Sequence, residues 1–234
     1  MLTQKVECVL TSSSSIHAHM FSRARSGVIP EHWPSRPSYR SGAVGRFLES
    51  EFAFPARYEI EQLRQLDRST GMAIYGFPDA HALDPHQQQK ADRPIILVRP
   101  AEGEPWVGVF YGGSYAYPAA AHGLLIGWPD EVSFCVVYAG GATVVRADAP
   151  HEAFEIETFP ITGVLVAPAQ GLVVFADFTS FTAYGRTGLK WRAEVATDEA
   201  TLSHVEDDAL VGGGFVAGSN QPVRVDLATG KLAD

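Results

Sequence analysis

Eight histidines invite a search for metal or acid/base chemistry, because imidazole ligates divalent cations and titrates near neutrality. The densest group of ionisable side chains is DAHALDPH, which holds Asp79, His81, Asp84 and His86. Carboxylates and imidazoles at this spacing carry the donors for a divalent cation or for general acid/base work, the equipment of a metal-dependent hydrolase. The surroundings favour a plainer reading. Pro78 to Pro94 is a polar stretch with three prolines and a run of three glutamines, the texture of a solvated surface loop or linker.

The other candidates are sparser. His17-Ala18-His19 has ligand spacing only if its segment is a strand, and no acid lies nearby. His122 and His151 sit in turn-like contexts. His204 precedes Glu206, Asp207 and Asp208, which lack the alternating ligands and central glycine of a calcium loop and read as a charged hairpin tip. Gly112-Gly113 and Gly212-Gly213-Gly214 have no Lys-Ser/Thr pair after them and open no helix, so they match neither a P-loop nor a dinucleotide fingerprint. A glycine run inside a strand pattern marks a bulge or a close backbone approach. Ser114 is followed two residues later by alanine where a nucleophile elbow needs glycine. No cofactor motif emerges, and the chain reads as a non-enzyme.

Aromatic residues offer the strongest binding candidate. WVGVFYGGSYAYP places Trp106, Phe110, Tyr111, Tyr115 and Tyr117 close together, with glycines that let a ligand or partner chain approach. Tyr and Trp dominate interface hot spots, although core packing accounts for the same composition.

The elements that must position these residues are mainly strands. From Arg93 onward, short β-branched and aromatic runs start every 8 to 12 residues, among them PIILVR, WVGVFY, LLIGW, VSFCVVYA, AFEIETF, LVVFADF and PVRVDL. Gaps this short leave no room for crossover helices, which implies antiparallel pairing. In AFEIETF the acids Glu155 and Glu157 mark a solvated face. LVVFADF reads as a central strand covered on both faces, with Asp177 as the group that needs a partner. Upstream, Tyr58, Ile60, Leu63 and Leu66 within FPARYEIEQLRQLD suggest one short helix over residues 54–67.

The cadence FTAYGRTGLKW and VRVDLATGKL repeats a Thr-Gly step, at Thr187-Gly188 and Thr229-Gly230. It suggests blade-like repeat units at about 129 to 167, 168 to 204 and 205 to 232. The expected fold is therefore mainly β, an antiparallel meander or sandwich with blade-like repeats and one short N-terminal helix. Three regions follow: a loosely ordered leader over 1–50, a helix and polar linker over 51–92, and an antiparallel β domain over 93–234.

Charge and composition narrow the function classes. Residues 1–48 carry six basic and two acidic side chains, while the remainder carries 12 basic and 25 acidic. An acidic body repels phosphate backbones, so nucleic acid is not an expected partner. The Ser- and Arg-containing leader also suits a transit peptide or an over-long start with Met20 as the initiator. Cys8 and Cys135 lie far apart without a zinc or redox motif, and Cys135 sits in an apolar run as a buried free thiol. No apolar stretch reaches the length of a membrane span, and the expected location is the cytoplasm.

One stretch has a familiar look. Trp128-Pro129-Asp130, Cys135, Gly140-Gly141, Pro160 with Val164, Gly171-Leu172, Gly185, GLKW at 188–191 and VDLATG at 225–230 resemble a group of uncharacterised bacterial β-rich proteins. VDLATG also looks like a blade of the pyrroloquinoline-quinone type propellers, although the vicinal cysteines and metal site of those enzymes have no counterpart here. The likeness implies a shared fold and no activity. The expected function is a non-catalytic protein-binding or assembly module. The alternatives are the metal-dependent hydrolase at His81 to His86 and an immunity-type or regulatory factor.

Overall fold

Strand-forming runs divided by tight turns build seventeen strands in the computed structural model, which describes residues 27–28, 48–77, 93–111, 123–195, 199–216 and 219–233. In chain order they are β1 (Gly27–Val28), β2 (Glu49–Glu51), β3 (Tyr58–Gln62), β4 (Ala73–Phe77), β5 (Ile95–Pro100), β6 (Trp106–Phe110), β7 (Leu124–Gly127), β8 (Ser133–Tyr138) and β9 (Gly141–Arg146). There follow β10 (Phe154–Glu155), β11 (Gly163–Ala167), β12 (Leu172–Ala176), β13 (Ser180–Gly185), β14 (Gly188–Glu194), β15 (Thr201–Glu206), β16 (Ala209–Val216) and β17 (Ser219–Asp226).

They form four sheets: β1-β4-β6-β5-β3, β10-β9-β8-β7-β2, β11-β12-β13-β14 and β15-β16-β17. Three apolar layers join them in series. Phe77, Ile96, Val98, Trp106 and Phe110 of the first sheet meet Leu125, Phe134, Val136 and Val145 of the second. The second sheet's other face, with Ile126, Cys135 and Val144, packs on Val173, Phe175 and Tyr184 of the third. Val174, Phe181, Ala183 and Trp191 of the third then meet Leu202, Leu210 and Val225 of the fourth. Central strands are thus buried on both faces. All five residues of β12 are buried, as expected for LVVFA between two layers.

One expectation needs correction. No α-helix occurs among the described residues: the span expected to be helical holds strand β3, and a 3-10 turn follows at Arg68–Thr70. Within β3 the half-buried Tyr58, Ile60 and Gln62 alternate with exposed Glu59 and Glu61, and Ile60 pairs with Val98 of β5. That two-residue period competes with the helical spacing of Ile60, Leu63 and Leu66, and pairing with a neighbouring strand decides between them. Beyond Arg93 the expected antiparallel pairing holds, and the parallel pairs bring in strands from upstream of it. From β7 onward, strands that follow one another within a sheet pair antiparallel, but β4 lies parallel to β6 and β2 parallel to β7. Segments upstream of Arg93 therefore enter sheets begun by later strands.

Turn chemistry is legible residue by residue. Ala139 and Gly140 (φ 50° and 81°) link β8 to β9, and Asp207 and Asp208 (φ 46° and 60°) link β15 to β16. Positive φ at both central residues is the hairpin geometry that matches strand twist, so the acidic run is a hairpin tip. Gly212 lies on the face toward Phe181. A Cβ there would stand 3.1 Å from the ring's Cζ and still closer to the Thr201 carbonyl oxygen, the close approach anticipated for the glycine run.

Asp177 is 7% exposed and caps its own turn. Its Oδ1 accepts from the amides of Thr179 (2.8 Å) and Ser180 (2.7 Å), and its Oδ2 from the Ser180 hydroxyl (2.8 Å). Asp130 does the same for Val132 and Ser133. The solvated face expected along AFEIETF is only partial. Glu157 is exposed, but Glu155 is half-buried and burial raises its carboxyl above the usual range.

Candidate binding cleft

Trp106, Phe110 and Tyr111 are buried, at 3%, 2% and 8% exposure. Trp106 and Phe110 project from alternate positions of β6 into the first apolar layer. There Phe110 stacks on Phe77 (5.0 Å between centroids) and Trp106 on Phe134 (6.2 Å). Gly108 stands between them on the same face, where a Cβ would meet Phe110 Cε2 at 2.8 Å and Trp106 Cζ3 at 3.2 Å. A missing side chain thus lets two large rings share one layer. Tyr111 packs beside Val109, with the Arg93 guanidinium over its ring at 4.5 Å. Phe110 and Tyr111 present no surface to a partner. Tyr115 and Tyr117 lie outside the described residues, as do Asp79, His81, Asp84 and His86.

Among the described aromatic candidates Trp106 alone borders a cleft of about 470 Å³ at the end where the first two sheets meet. Three turns make it. Arg68–Thr70 ends at Gly71 in the left-handed conformation, and Asp67 fixes its start by accepting from the Ser69 amide (2.8 Å) and hydroxyl (2.6 Å). The β5–β6 turn brings Gly103 and Glu104, bracketed by Pro100 and Pro105. The segment after β9 brings Ala147, Asp148 and Pro150. Trp106 joins the two sheets by donating Nε1–H to the Ala147 carbonyl at 2.7 Å, a bond buried among apolar groups.

The lining mixes apolar and polar surface, with acids at the rim. Tyr75 stands edge-on to Trp106 at 5.4 Å, beside Met72 and the prolines. Among the described residues, Glu104 and Asp148 are the charged ones on the wall, and no basic residue lines it. Arg146 donates to both Asp148 oxygens, Nε to Oδ1 at 3.0 Å and Nη2 to Oδ2 at 2.8 Å. That hydrogen bonding, reinforced by the guanidinium charge, holds the Asp148 carboxyl below the usual carboxylate range. Glu104 is exposed and has no hydrogen bond or ion pair among the described residues.

Sequence reasoning missed Tyr75, Glu104 and Asp148. The available signals were the proline bracket around Gly103 and the Arg-x-Asp pair at 146 and 148, neither of which reveals that distant turns converge. Elsewhere, His151 and His204 are exposed, and His204 Nδ1 lies 3.0 Å from the Ser203 hydroxyl. Cys135 is fully buried, and burial pushes its thiol well above the ordinary range. No group of three or more His, Cys, Asp or Glu suited to a metal ion occurs among the described residues, and none of their helices is long and apolar enough to cross a membrane.

No family model and no curated protein matches this chain. Among solved structures, the AfRom2 CNH domain aligns with 60% of this chain at 10% identity and a TM-score of 0.32. The alignment covers 44% of that structure, so the chain spans under half its length. The likeness is too slight to define a shared architecture. Nothing in these comparisons supports a propeller of the pyrroloquinoline-quinone type.

Proposed function

We propose that this chain is a non-catalytic binding module that receives a segment of a partner protein in the cleft between its first two sheets. The observation that carries the reading is the cleft itself. It is concave, of a size typical of ligand sites, and of mixed lining, with an apolar wall and carboxylates at its rim. Its walls are rigid, because they are strand ends and short turns tied together by the Trp106–Ala147 hydrogen bond.

Its chemistry favours binding over turnover. A general acid must give up a proton near neutral pH, whereas Asp148 is held as a carboxylate by a guanidinium on both oxygens. A carboxylate locked this way serves as a fixed negative charge.

The test is selection of short peptides from a random displayed library on the purified full chain, followed by binding measurements on an Ala73→Trp variant. Ala73 is exposed and lines the cleft, so an indole there fills the cleft without disturbing the core. Selected peptides should lose at least ten-fold in affinity while the melting temperature holds. Peptides that bind the variant as tightly as the parent, or a selection that yields none, would overturn the reading.

A further inference from the structure

Resting on the cleft as the binding site, we infer that its occupant is an extended peptide segment presenting an arginine or lysine side chain. Charge distribution is the first reason. Among the described residues the cleft wall carries Glu104 and Asp148 and no cation. At the same end of the molecule Arg57 pairs with Glu102 at 3.4 Å, and Arg146 serves both Asp148 and Glu152. With Glu104, and with Asp67 and Arg68 of the first turn, three guanidiniums therefore stand against five carboxylates among these described residues. The surplus is negative, so an incoming cation meets a complementary field and an incoming carboxylate a repulsive one.

The shape of the lining is the second reason. Long basic side chains have an apolar stem and a charged head, and they lay the stem along apolar surface while the head reaches polar groups. Met72, Tyr75, Pro100 and Pro105 supply the apolar wall, and Glu104 stands at the rim without a partner among the described residues. Asp148 adds a second acceptor. Arg146 occupies one lone pair on each of its oxygens, and an ionised carboxylate has about four such sites. A head group at the rim thus finds two carboxylates, one free and one preorganised by Arg146.

The competing occupants are an uncharged apolar segment and an acidic one. An apolar segment would bury Glu104 against nothing, which leaves its charge desolvated without compensation, whereas Asp148 keeps Arg146. An acidic segment would add like charge at the rim.

Fluorescence polarisation on the full chain separates them with three labelled peptides of equal length, built from repeats of Arg-Pro-Gly, Gln-Pro-Gly and Glu-Pro-Gly. The arginine peptide should bind at least ten-fold more tightly than the glutamine peptide, and the glutamate peptide weakest. Glu104→Gln should weaken the arginine peptide about two- to five-fold, the range of a solvent-exposed pair, and Glu104→Lys more than ten-fold. Added salt should weaken it further, because charges at the rim are screened beyond about 10 Å at 0.1 M.

Ala73→Trp distinguishes the levels of failure. If the arginine and glutamine peptides bind equally and both are lost in Ala73→Trp, the cleft stands as the site and the basic-segment inference falls. If arginine-peptide binding survives Ala73→Trp, or ignores Glu104→Lys, the charge is read elsewhere and the inference also falls. Absence of binding by all three peptides overturns it as well.

Discussion

Replacing Asp177 with alanine should destabilise the protein by about 3–5 kcal/mol, more than most single substitutions. The magnitude follows from three donors. The side chain is 7% exposed and accepts from the Thr179 and Ser180 amides and the Ser180 hydroxyl, at 2.8, 2.7 and 2.8 Å. Alanine leaves the buried Ser180 amide without an acceptor, at about 1–3 kcal/mol for each buried orphan donor, and leaves the amide of the exposed Thr179 to water. The Ser180 hydroxyl, with its residue fully buried, loses its acceptor as well. Arg192, whose Nη2 lies 3.6 Å from Asp177, loses a counter-charge, which adds little because its side chain is 47% exposed. Urea titration followed by tryptophan fluorescence reads the change directly. In a scanning calorimeter it should lower the melting temperature by roughly 10 °C, at about 2–4 °C per kcal/mol for a chain of this size.

Asp130 supplies the internal control. It makes the corresponding bonds to Val132 and Ser133 at 3.1, 2.7 and 2.7 Å but is only half-buried, so water reaches its orphans. Asp130→Ala should cost about 1–2 kcal/mol. Asp177→Asn should cost about 1 kcal/mol, because its carbonyl oxygen still serves both amides and its amide group can donate to the Ser180 hydroxyl. A cost below about 1 kcal/mol for Asp177→Ala, or one smaller than that of Asp130→Ala, would refute the burial argument.

Four further outcomes are expected. Gly230→Ala should destabilise by about 2–4 kcal/mol in a urea titration: Gly230 has φ 71°, and a Cβ there would stand 2.7 Å from Trp191 Cγ, against the ring whose Nε1 donates to the Leu227 carbonyl. Cys135 should resist alkylation in the native protein at pH 8 and react once denaturant is added, as peptide mass spectrometry resolves; labelling of the native thiol would contradict its burial. Asp148 has its folded-state carboxyl lowered, so it contributes stability above its unfolded value, about pH 4, and loses it as pH falls through the lower folded value. Arg146→Gln should therefore move the acid limb of the stability profile to higher pH. Glu155 has the opposite sign. Burial raises its carboxyl, so ionisation costs stability, and Glu155→Gln should raise the urea midpoint at pH 7 with the gain fading as pH falls through the raised value.

The strands beyond Arg93 were legible because each is a short run of β-branched and aromatic residues that must bury at least one face. PIILVR, WVGVFY, VSFCVVYA, LVVFADF and PVRVDL all correspond to strands. β10 shrank to two residues, since AFEIETF leaves the sheet after pairing Phe154 and Glu155 with Val144 and Thr143. β3 and β4 were not legible, since a strand with one half-buried face and a short amphipathic helix write similar patterns over five residues. Their partners, β5 and β6, decide the matter from 30 to 40 residues away. β15 hid for a different reason. TLSHVE has few apolar residues, because its sheet is the last in the series and turns one face to solvent.

The site was half legible, and the reason is physical. Composition marks Trp106, Phe110 and Tyr111 as large aromatic rings, and burial in a core and capture of a partner draw on the same property. What separates the two uses is whether another sheet covers the ring. For Phe110 the second sheet does so completely, through Phe134. For Trp106 it does so up to the indole Nε1, which reaches the Ala147 carbonyl at the mouth of a cleft. The same hydrogen bond that completes the core therefore positions the Asp148 segment beside the β5–β6 turn. Trp106→Phe is the substitution that divides the two roles: it keeps an aromatic ring in the layer but removes the donor. It should cost about 1–2 kcal/mol of stability and weaken cleft binding by more than that loss accounts for under native conditions, where the folded state still dominates. A Trp106→Phe chain that binds like the parent while losing that stability would show that the indole serves the core alone.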